Sequence, residues 1–289
     1  MGLKEKKQRL VGILKAYDAV AVAFSGGVDS TFLLAVAKEV LGGRVLAVTA
    51  SSAIHSRTES YAAAEIAGTL GVTHRVVASR EMDLPEFVAN PSNRCYVCKR
   101  NVMAEVVRIA AEMGIAHVAH GVNVDDLGDF RPGLKAAEEM GLLAPLVEAG
   151  LTKADIRTLS RRMRLTTWNK PSMACLASRI PYGTAITPEN LRMVEEAEDF
   201  LRGLGFAGCR VRHHGAVARI ELAQRDFKKA LAAPARTAIV RKMREIGFRY
   251  VAVDLEGYVM GSLNRAIEGK GPRGQGVEGS SEYNLQKGN

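Results

Sequence analysis

The chain lacks any long apolar run. Its 289 residues contain no hydrophobic stretch near the roughly 18 residues that a membrane-spanning helix needs, because Lys15 and Asp18 interrupt the N-terminal apolar segment. The same charges are unfavourable in the apolar core of a signal peptide. We therefore expect a cytoplasmic protein with no membrane partner. Hydrophobic residues still make up 47% of the chain, enough for one large domain or two modest ones.

Cysteines are also scarce. The chain has four, at positions 95, 98, 175 and 209. So few cysteines in a cytoplasmic chain exclude a disulfide framework, and the CxxC spacing of the first two indicates metal or thiol chemistry instead.

Aromatic residues amount to only 6% of the chain, and no dense block of Lys and Arg with interleaved aromatics occurs. Nucleic-acid binding is therefore not expected. The formal net charge is nevertheless +9, from 40 basic and 31 acidic residues. That excess of positive charge suits a site for ATP and a second anionic ligand.

The most informative segment is SGGVDS, residues 25–30. It follows the apolar run 18–24 and precedes a helix-like stretch, 31–41. A strand, a glycine turn and a helix start together form a phosphate-binding cradle. The segment is not a Walker A loop, because the spacing is short and the lysine is missing. It resembles the PP-loop of the N-type ATP pyrophosphatases, which cleave ATP between its α- and β-phosphates to adenylate a substrate.

Each polar or glycine position of SGGVDS has an expected role. Gly26 and Gly27 let the backbone N–H groups face the phosphates, and Ser25 and Ser30 add hydroxyl donors. Asp29 is placed to hold Mg²⁺ beside the phosphates. A plain Gly-Gly turn between strand and helix is the structural alternative.

Short apolar segments alternate with helical ones through the first half of the chain. Strands are predicted at 18–24, 44–50, 73–78 and 117–121, and helices at 3–17, 31–41, 56–70, 99–113, 134–140 and 152–163. This alternation predicts an α/β fold with a parallel sheet covered by helices on both faces. Ligands of such sheets bind at the carboxyl ends of the strands, so we expect ATP to contact SGGVDS, Ser51 and Gly121.

The sequence divides into four parts. We predict a PP-loop domain at 1–165, an active-site connector at 166–188, a small α+β domain at 189–270, and a disordered tail at 271–289 rich in Gly, Ser and charge. A weak internal repeat, offset by 42 positions, lies in the third part. Each copy has the pattern helix, Gly-Phe, strand, turn, strand, which predicts four strands and two helices.

The first copy of the repeat carries an unusual set of arginines. A tight turn at His214-Gly215 would place Arg210 opposite Arg219. Side-chain alternation would then put four residues on one face: Arg210, Arg212, Arg219 and Glu221. This face either binds a phosphate or is a solvated strand face whose arginines pair with Glu221 and Asp254.

Three of the cysteines lie in segments with possible ligand spacing. Cys95 and Cys98 precede a predicted helix, and Cys175 lies in the connector, which is too long to be a simple link. Three thiolates could hold a [4Fe–4S] cluster with one iron open. A structural zinc would need a fourth ligand, such as Cys209 or a His. Cys209 shares a strand face with Val211, opposite the face of Arg210 and Arg212, and is predicted to be buried.

A polar segment, 121–133, follows the fourth predicted strand and contains three carboxylates and Arg131. It could hold magnesium or orient a substrate. A polar loop stabilised by bonds from side chains to the backbone is an equal alternative.

Taken together, these segments resemble the LarE family of ATP-dependent sulfur transferases. The shared motifs are SGGVDS, NRCYVCK, GVNVDDLGDFRPG, PLVEAGLTKADIR, KPSMACLASRIPYG and RVRHHGAVARIE. The resemblance implies that ATP, with Mg²⁺, adenylates a carboxylate of pyridinium-3,5-biscarboxylic acid mononucleotide and releases pyrophosphate. Sulfur then replaces AMP to give a thiocarboxylate for a nickel-pincer nucleotide. The resemblance does not specify the sulfide donor, and we expect a homo-oligomer.

The resemblance also implies roles for individual residues. Cys175 occupies the sulfur-bearing position, with Asp29 and Ser30 as the other catalytic residues. The implied substrate-binding residues are Asp126, Arg131, Ser178, Arg179, Glu198, Arg210, Arg212 and Asp226. Among them, Arg210, Arg212 and Glu198 match the region that binds the mononucleotide phosphate.

Two sulfur routes occur in the family. Members with one cysteine give up the sulfur of the residue at the Cys175 position and turn over once. Members with three cysteines resemble cluster-dependent sulfur insertases, and Cys95 and Cys98 place this chain with them. A tRNA thiolase with the same chemistry is a second hypothesis, which detection of bound tRNA would favour. An ATP-binding module with a structural zinc is a third, which pyrophosphate release with the pyridinium substrate would exclude.

Overall fold

The computed structural model describes residues 1–128, 132–171, 174–259, 262 and 265. The helices in that part are α1 (Leu3–Lys15), α2 (Val28–Leu41), α3 (Arg57–Thr69), α4 (Pro85–Val88), α5 (Arg94–Glu112), α6 (Pro132–Glu139), α7 (Pro145–Glu148), α8 (Lys153–Arg162), α9 (Pro188–Gly203), α10 (Phe227–Leu231) and α11 (Ala233–Ile246). The strands are β1 (Val20–Ala23), β2 (Val45–Ser51), β3 (Thr73–Ala78), β4 (His117–His120), β5 (Arg210–His214), β6 (Val217–Glu221) and β7 (Tyr250–Val253).

The first half of the chain forms a parallel sheet with the strand order β3-β2-β1-β4. Val20 of β1 pairs with Val45 of β2 on one side and with His117 of β4 on the other. Helices cover both faces, so the central strands β1 and β2 are mostly apolar and buried. The predicted α/β fold is therefore confirmed. The one-turn helices α4 and α7 are too short to show a periodicity and were not predicted.

Helix α2 is the most deeply buried helix of this sheet domain. Phe32, Leu33 and Leu34 are consecutive residues with no exposed surface, so the helix is enclosed on all sides. Its first residue, Val28, follows β1 after only four residues. This short link places the N-terminus of α2 at the carboxyl end of β1, in the centre of the sheet.

Helix α5 begins at Arg94, five residues before the predicted start at Lys99. The prediction that the CxxC pair precedes a helix is therefore wrong, because Cys95 and Cys98 lie in the first turns of α5. A turn that starts at Pro91 initiates the helix: Arg94 N–H donates to Pro91 O at 3.0 Å, and Tyr96 N–H donates to Asn93 O at 2.8 Å.

A second, three-stranded sheet follows, with the order β5-β6-β7. Helices α9 and α11 pack on it around a core that includes Phe206, Val211, Met243 and Phe248. The β5–β6 hairpin turns at Gly215 and Ala216, with His214 paired to Val217.

The predicted register of this hairpin is wrong by two residues. Arg210 lies opposite Glu221, and Arg212 lies opposite Arg219. The predicted shared face nevertheless survives, because a slip of two residues preserves the alternation of side chains.

The second copy of the repeat differs from its prediction. Strand β7 pairs in parallel with β6, as expected of a strand reached through a helical crossover. After β7 the chain turns, with Gly257 N–H donating to Asp254 O at 3.1 Å. Tyr258 and Val259 are not in a strand, and most of the rest of the predicted fourth strand lies outside the described residues, as does the tail.

None of the helices in the described part of the chain has the length and apolar character that crossing a membrane would require.

Candidate active site

The SGGVDS loop is cross-linked by its own hydroxyl groups. Ser25 Oγ and Ser30 Oγ lie 3.1 Å apart, and Ser30 Oγ donates to Gly27 O at 3.3 Å. Gly26 has a φ of +65°, and a Cβ there would lie 3.2 Å from Ala63 Cα on α3. The tight, left-handed turn therefore requires glycine, and it leaves the loop preformed at the start of α2.

Asp29 is held by two side chains from segments that are distant in the sequence. Lys153 Nζ forms an ion pair with its Oδ2, and Asn123 Nδ2 donates to its Oδ1 at 3.4 Å. Burial raises the pKa of the Asp29 carboxyl, and the bond from Lys153 opposes that rise. The carboxylate is thus placed beside the loop, where it could exchange Lys153 for a Mg²⁺ ion.

Lys153 has no predicted role of its own, although it lies in the shared motif PLVEAGLTKADIR. It is the first residue of α8, after Thr152, whose hydroxyl accepts from Asp155 N–H at 3.2 Å as a helix cap. A cation at a helix N-terminus opposes the helix dipole. That unfavourable placement was the available signal that Lys153 is there for another reason.

A second lysine without a predicted role approaches the loop from the connector. Lys170 Nζ donates to Gly26 O at 3.0 Å. Together with Lys153, it brings two cations to a loop that has no lysine of its own. Two ammonium groups from separate elements thus lie at the loop.

The other two predicted ATP contacts also lie at strand ends. Gly121 packs so closely on α2 that an added Cβ would lie 2.8 Å from Ser30 N. Ser51 ends β2 and is partly exposed, with its carbonyl accepting Ser79 N–H at 3.0 Å. The sheet edge therefore brings Gly121 against the loop, and Ser51 stays available on the next strand.

The polar segment after β4 is folded by its own side chains. Asp126 Oδ2 accepts Asn123 N–H at 3.0 Å, and Asn123 Oδ1 accepts Asp125 N–H at 2.9 Å. Asp125 Oδ2 in turn accepts Lys153 N–H at 2.8 Å, which fixes the start of α8. These bonds agree with the polar-loop interpretation, and they connect Asp126 to the Asp29 site. Arg131 lies outside the described residues.

The three clustered thiols occupy adjoining segments. Cys95 is exposed on the first turn of α5, whereas Cys98 and Cys175 are partly buried against a shared apolar cluster that includes Val97 and Leu176. Desolvation by the surrounding protein raises the pKa of both thiols of the CxxC pair, although Cys95 keeps an exposed surface, and Cys175 raises each pKa further. Cys98 and Cys175 thus pack on the same apolar cluster, with Cys95 three positions before Cys98 on α5, and a [4Fe–4S] cluster held by all three stays a prediction.

The donor set suits iron, because three soft thiolates leave one iron of a [4Fe–4S] cluster open. As folded without metal, the described side chains of His, Cys, Asp and Glu include no compact group of three that could hold an ion. Cys209 does not join the set. It is 1% exposed in the core of the second sheet, and burial raises its pKa to about 11.

Arg179 fixes the backbone around Cys175. This fully buried guanidinium forms two bonds with Glu198, at 2.8 and 3.1 Å. Its Nη1 donates to Ala174 O at 2.6 Å and to Cys175 O at 3.0 Å. Ser178 Oγ also donates to Cys175 O, at 2.7 Å. Arg179, Glu198 and Ser178 thus hold the Cys175 backbone in place.

The arginine face of β5 and β6 is mostly occupied by carboxylates. Arg212 forms two bonds with Glu221, at 2.9 and 2.7 Å, and Arg219 contacts Asp254 at 2.5 Å. The pairing alternative therefore accounts for both of these arginines. Arg212 also donates to Ser178 O at 2.9 Å, which joins the second sheet to the Cys175 segment.

Arg210 is the third arginine of that face. It lies over the Tyr258 ring, 5.1 Å from its centroid, and burial together with the nearby Arg179 lowers its pKa. Asp226 is half-buried just before α10.

Comparison with known proteins gives one family match and several relatives. Residues 13–93 match the asparagine synthase family. An uncharacterized protein from Synechocystis sp. is 40% identical over 265 residues, which are 92% of this chain and 99% of that protein. The pyridinium-3,5-bisthiocarboxylic acid mononucleotide synthase of Lactiplantibacillus plantarum is 39% identical over 266 residues, 92% of this chain and 96% of the synthase. A glutamine-hydrolyzing GMP synthase from Aeropyrum pernix is 30% identical over 205 residues, only 64% of this chain and 40% of that enzyme.

Proposed function

The chain belongs to the LarE family of ATP-using PP-loop enzymes, and from this premise we propose that it converts the carboxylates of pyridinium-3,5-biscarboxylic acid mononucleotide to thiocarboxylates. The Lactiplantibacillus relative carries the name of the bisthiocarboxylate product. A carboxylate is a poor acyl donor, so the reaction needs activation by ATP before sulfur can enter. The two halves of the reaction correspond to the two parts of the site described above.

Activation takes place at SGGVDS. The carboxylate oxygen attacks the α-phosphorus of ATP, the bond to the β-phosphate breaks, and pyrophosphate leaves. Charge develops on that leaving group, so fixed donors lower the barrier. The backbone N–H groups of the loop, Ser25 and Ser30 supply such donors, and Lys153 and Lys170 supply positive charge. Asp29 is the residue that would hold Mg²⁺, which when bound would neutralise charge on the phosphates.

Sulfur transfer takes place at the three thiols. Cys95, Cys98 and Cys175 would hold a [4Fe–4S] cluster, which when bound supplies an open iron position able to carry sulfide. Arg179 and Ser178 fix the backbone of Cys175 and thereby its orientation toward the other two thiols. Glu198 keeps Arg179 in place, so its contribution to the substrate site is indirect. Of the three arginines on the shared face of β5 and β6, we assign Arg210 to binding of the mononucleotide phosphate.

The observation that carries the proposal is the packing of Cys175 and Cys98 on one apolar cluster, in a chain that also has a PP-loop. Cys95 lies three positions before Cys98 on α5, which puts it on the same side of the helix. Three thiols favour repeated turnover over loss of the Cys175 sulfur, because the sulfide need not come from the protein.

Metal analysis of protein purified and reconstituted without oxygen tests the proposal. We expect about four irons and matching labile sulfide per chain, lost in Cys95→Ala, Cys98→Ala and Cys175→Ala. Cys209→Ser is the matched control and should keep its iron, since that thiol lies in the other core. Iron-free protein that transfers one sulfur per chain would instead indicate that Cys175 gives up its own sulfur.

Asp29→Ala separates the two halves of the reaction. It should lose pyrophosphate release and keep its iron, because the loop and the cysteines are separate elements. Loss of iron in this variant would contradict that division.

A further inference from the structure

The segment that follows Cys175 is held by one buried asparagine. Asn90 Nδ2 donates to Pro181 O and Thr184 O, both at 2.8 Å, and to Ile180 O at 3.4 Å. Its backbone carbonyl accepts Gly183 N–H at 2.9 Å. A single side chain thus satisfies several carbonyl groups of a stretch that has no regular structure.

Arg94 completes this contact from the start of α5. Its Nη1 bonds to Asn90 Oδ1 and donates to Ile180 O at 3.2 Å. Its guanidinium lies over the Tyr182 ring, 4.5 Å from the centroid. We name Asn90 and Arg94 the clamp. Arg94 directly precedes Cys95 in the chain. Both residues of the clamp donate to the carbonyl of Ile180, which lies five residues after Cys175.

The clamp carries costs that an ordinary connector would not require. Asn90 has no exposed surface and a φ of +57°, in the left-handed region that asparagine adopts more readily than most non-glycine residues. Arg94 is 2% exposed, and its Nε has no hydrogen-bond partner in the described part of the chain. Leaving a buried donor without a partner is unfavourable. Such costs commonly mark a functional constraint.

The clamp also complements Arg179. Arg179 fixes the Cys175 backbone to α9 through Glu198, and Leu176 packs in one apolar cluster with Val97 of α5. Asn90 and Arg94 add directional bonds to that packing, because they join the 180–184 stretch to the turn that carries Cys95.

We propose that Asn90 and Arg94 are positioning residues that hold Cys175 within reach of the CxxC pair. They act by setting the distance between two segments, through their bonds to the 180–184 stretch. Only the purpose of this positioning rests on the proposed function, because the distance between the thiols can be measured in the metal-free protein.

The test measures that distance with a thiol-bridging reagent. Dibromobimane is added to the metal-free, full-length chain, and peptides bridged between Cys175 and either CxxC cysteine are quantified by mass spectrometry. Asn90→Gly keeps the left-handed backbone and removes the amide, and Arg94→Gln removes the guanidinium. Both should lower the yield of the bridged peptide by about tenfold.

Matched controls exclude a general loss of packing. Asn190→Ala removes an amide that donates to a backbone carbonyl on the protein surface, and Arg108→Gln removes an exposed arginine of α5. Both should bridge like the parent chain. Unchanged bridging in folded Asn90→Gly and Arg94→Gln would overturn the proposal. Because no iron is present, this result is independent of whether the cluster forms.

Hydrogen exchange of the unaltered chain tests the clamp without any variant. The amides of Gly183 and Ile186 donate to Asn90 O and Val88 O, each at 2.9 Å. We expect both to exchange as slowly as amides of the central sheet. Fast exchange at both positions would show that the segment is not held and would refute the clamp.

Discussion

At the scale of single residues, the PP-loop depends on groups that come from elsewhere in the chain. Lys153 and Lys170 reach the loop from α8 and from the connector. A loop without its own lysine must obtain positive charge from outside. The surroundings of the loop are therefore complete only when α8 and the connector are folded against it.

Lys153→Met should slow pyrophosphate release by about 10²-fold, because it removes a cation aimed at the leaving group. The assay is pyrophosphate formation with the pyridinium substrate, together with a thermal melt. Lys6→Met is the matched control, since Lys6 pairs with Asp155 on the same helix at 2.5 Å but does not contact the loop. Equal losses in the two variants would contradict the catalytic role.

Gly121→Ala should both destabilise the protein and impair ATP use. The new Cβ would lie 2.8 Å from Ser30 N and 3.0 Å from Ser30 Cα, and these are backbone atoms that cannot rotate away. We expect a loss of about 1–3 kcal/mol in the free energy of unfolding, measured by urea titration. Gly68→Ala, in open space on α3, should change stability slightly or raise it. Normal pyrophosphate release by the Gly121 variant would show that this contact does not shape the loop.

At the scale of secondary-structure elements, α9 anchors the Cys175 segment through a buried ion pair. The side chains of Arg179 and Glu198 are each 1% exposed. Such a pair contributes little net stability compared with apolar residues, but removing one partner leaves a buried charge without compensation. The pair therefore makes the position of the Cys175 backbone depend on α9.

Glu198→Ala should lower the free energy of unfolding by about 3–5 kcal/mol, as measured by urea titration. Glu196→Ala is the control on the same helix, because its partner Arg192 is exposed and the loss should stay below about 1 kcal/mol. A small effect of Glu198→Ala on stability, with weaker binding of the mononucleotide, would assign Glu198 to direct substrate contact.

At the scale of the whole molecule, several buried histidines make stability depend on pH. Burial lowers the pKa values of His74, His120 and His213, with His120 at about 4 because Lys99 adds to the effect. The unfolded chain binds protons near pH 6.5, whereas folded His120 stays neutral until about pH 4. Stability from these groups is therefore complete above pH 6.5 and falls as the pH decreases.

His120 alone should contribute about 3 kcal/mol of this loss between pH 7 and pH 4. The measurement is the free energy of unfolding as a function of pH, compared with His120→Gln, whose profile should be flatter by that amount. His117→Gln, exposed on the same strand, should keep the slope of the parent chain. Parallel profiles for all three proteins would mean that His120 titrates normally.

Much of the molecule could be derived from the sequence because it depends on local patterns. Alternating apolar segments predicted the parallel sheet, and the strand–glycine–helix order of SGGVDS predicted a loop at its carboxyl edge. The same pattern predicted Gly121 at a strand end, whereas the structure shows that this strand is the neighbour of β1. Side-chain alternation even predicted the common face of Arg210, Arg212 and Arg219 despite a wrong register, because alternation has a period of two.

Only the tertiary structure decided which partners those residues have. The face of β5 and β6 offered three arginines, and whether Glu221 and Asp254 neutralise them depends on distances across strands. Lys153 is 124 positions from Asp29 in the chain, and Asn90 is 90 positions from Ile180. Local patterns specify backbone conformation and burial, whereas contacts between distant segments are set by packing. The chemistry at the thiols and at the loop depends on those contacts.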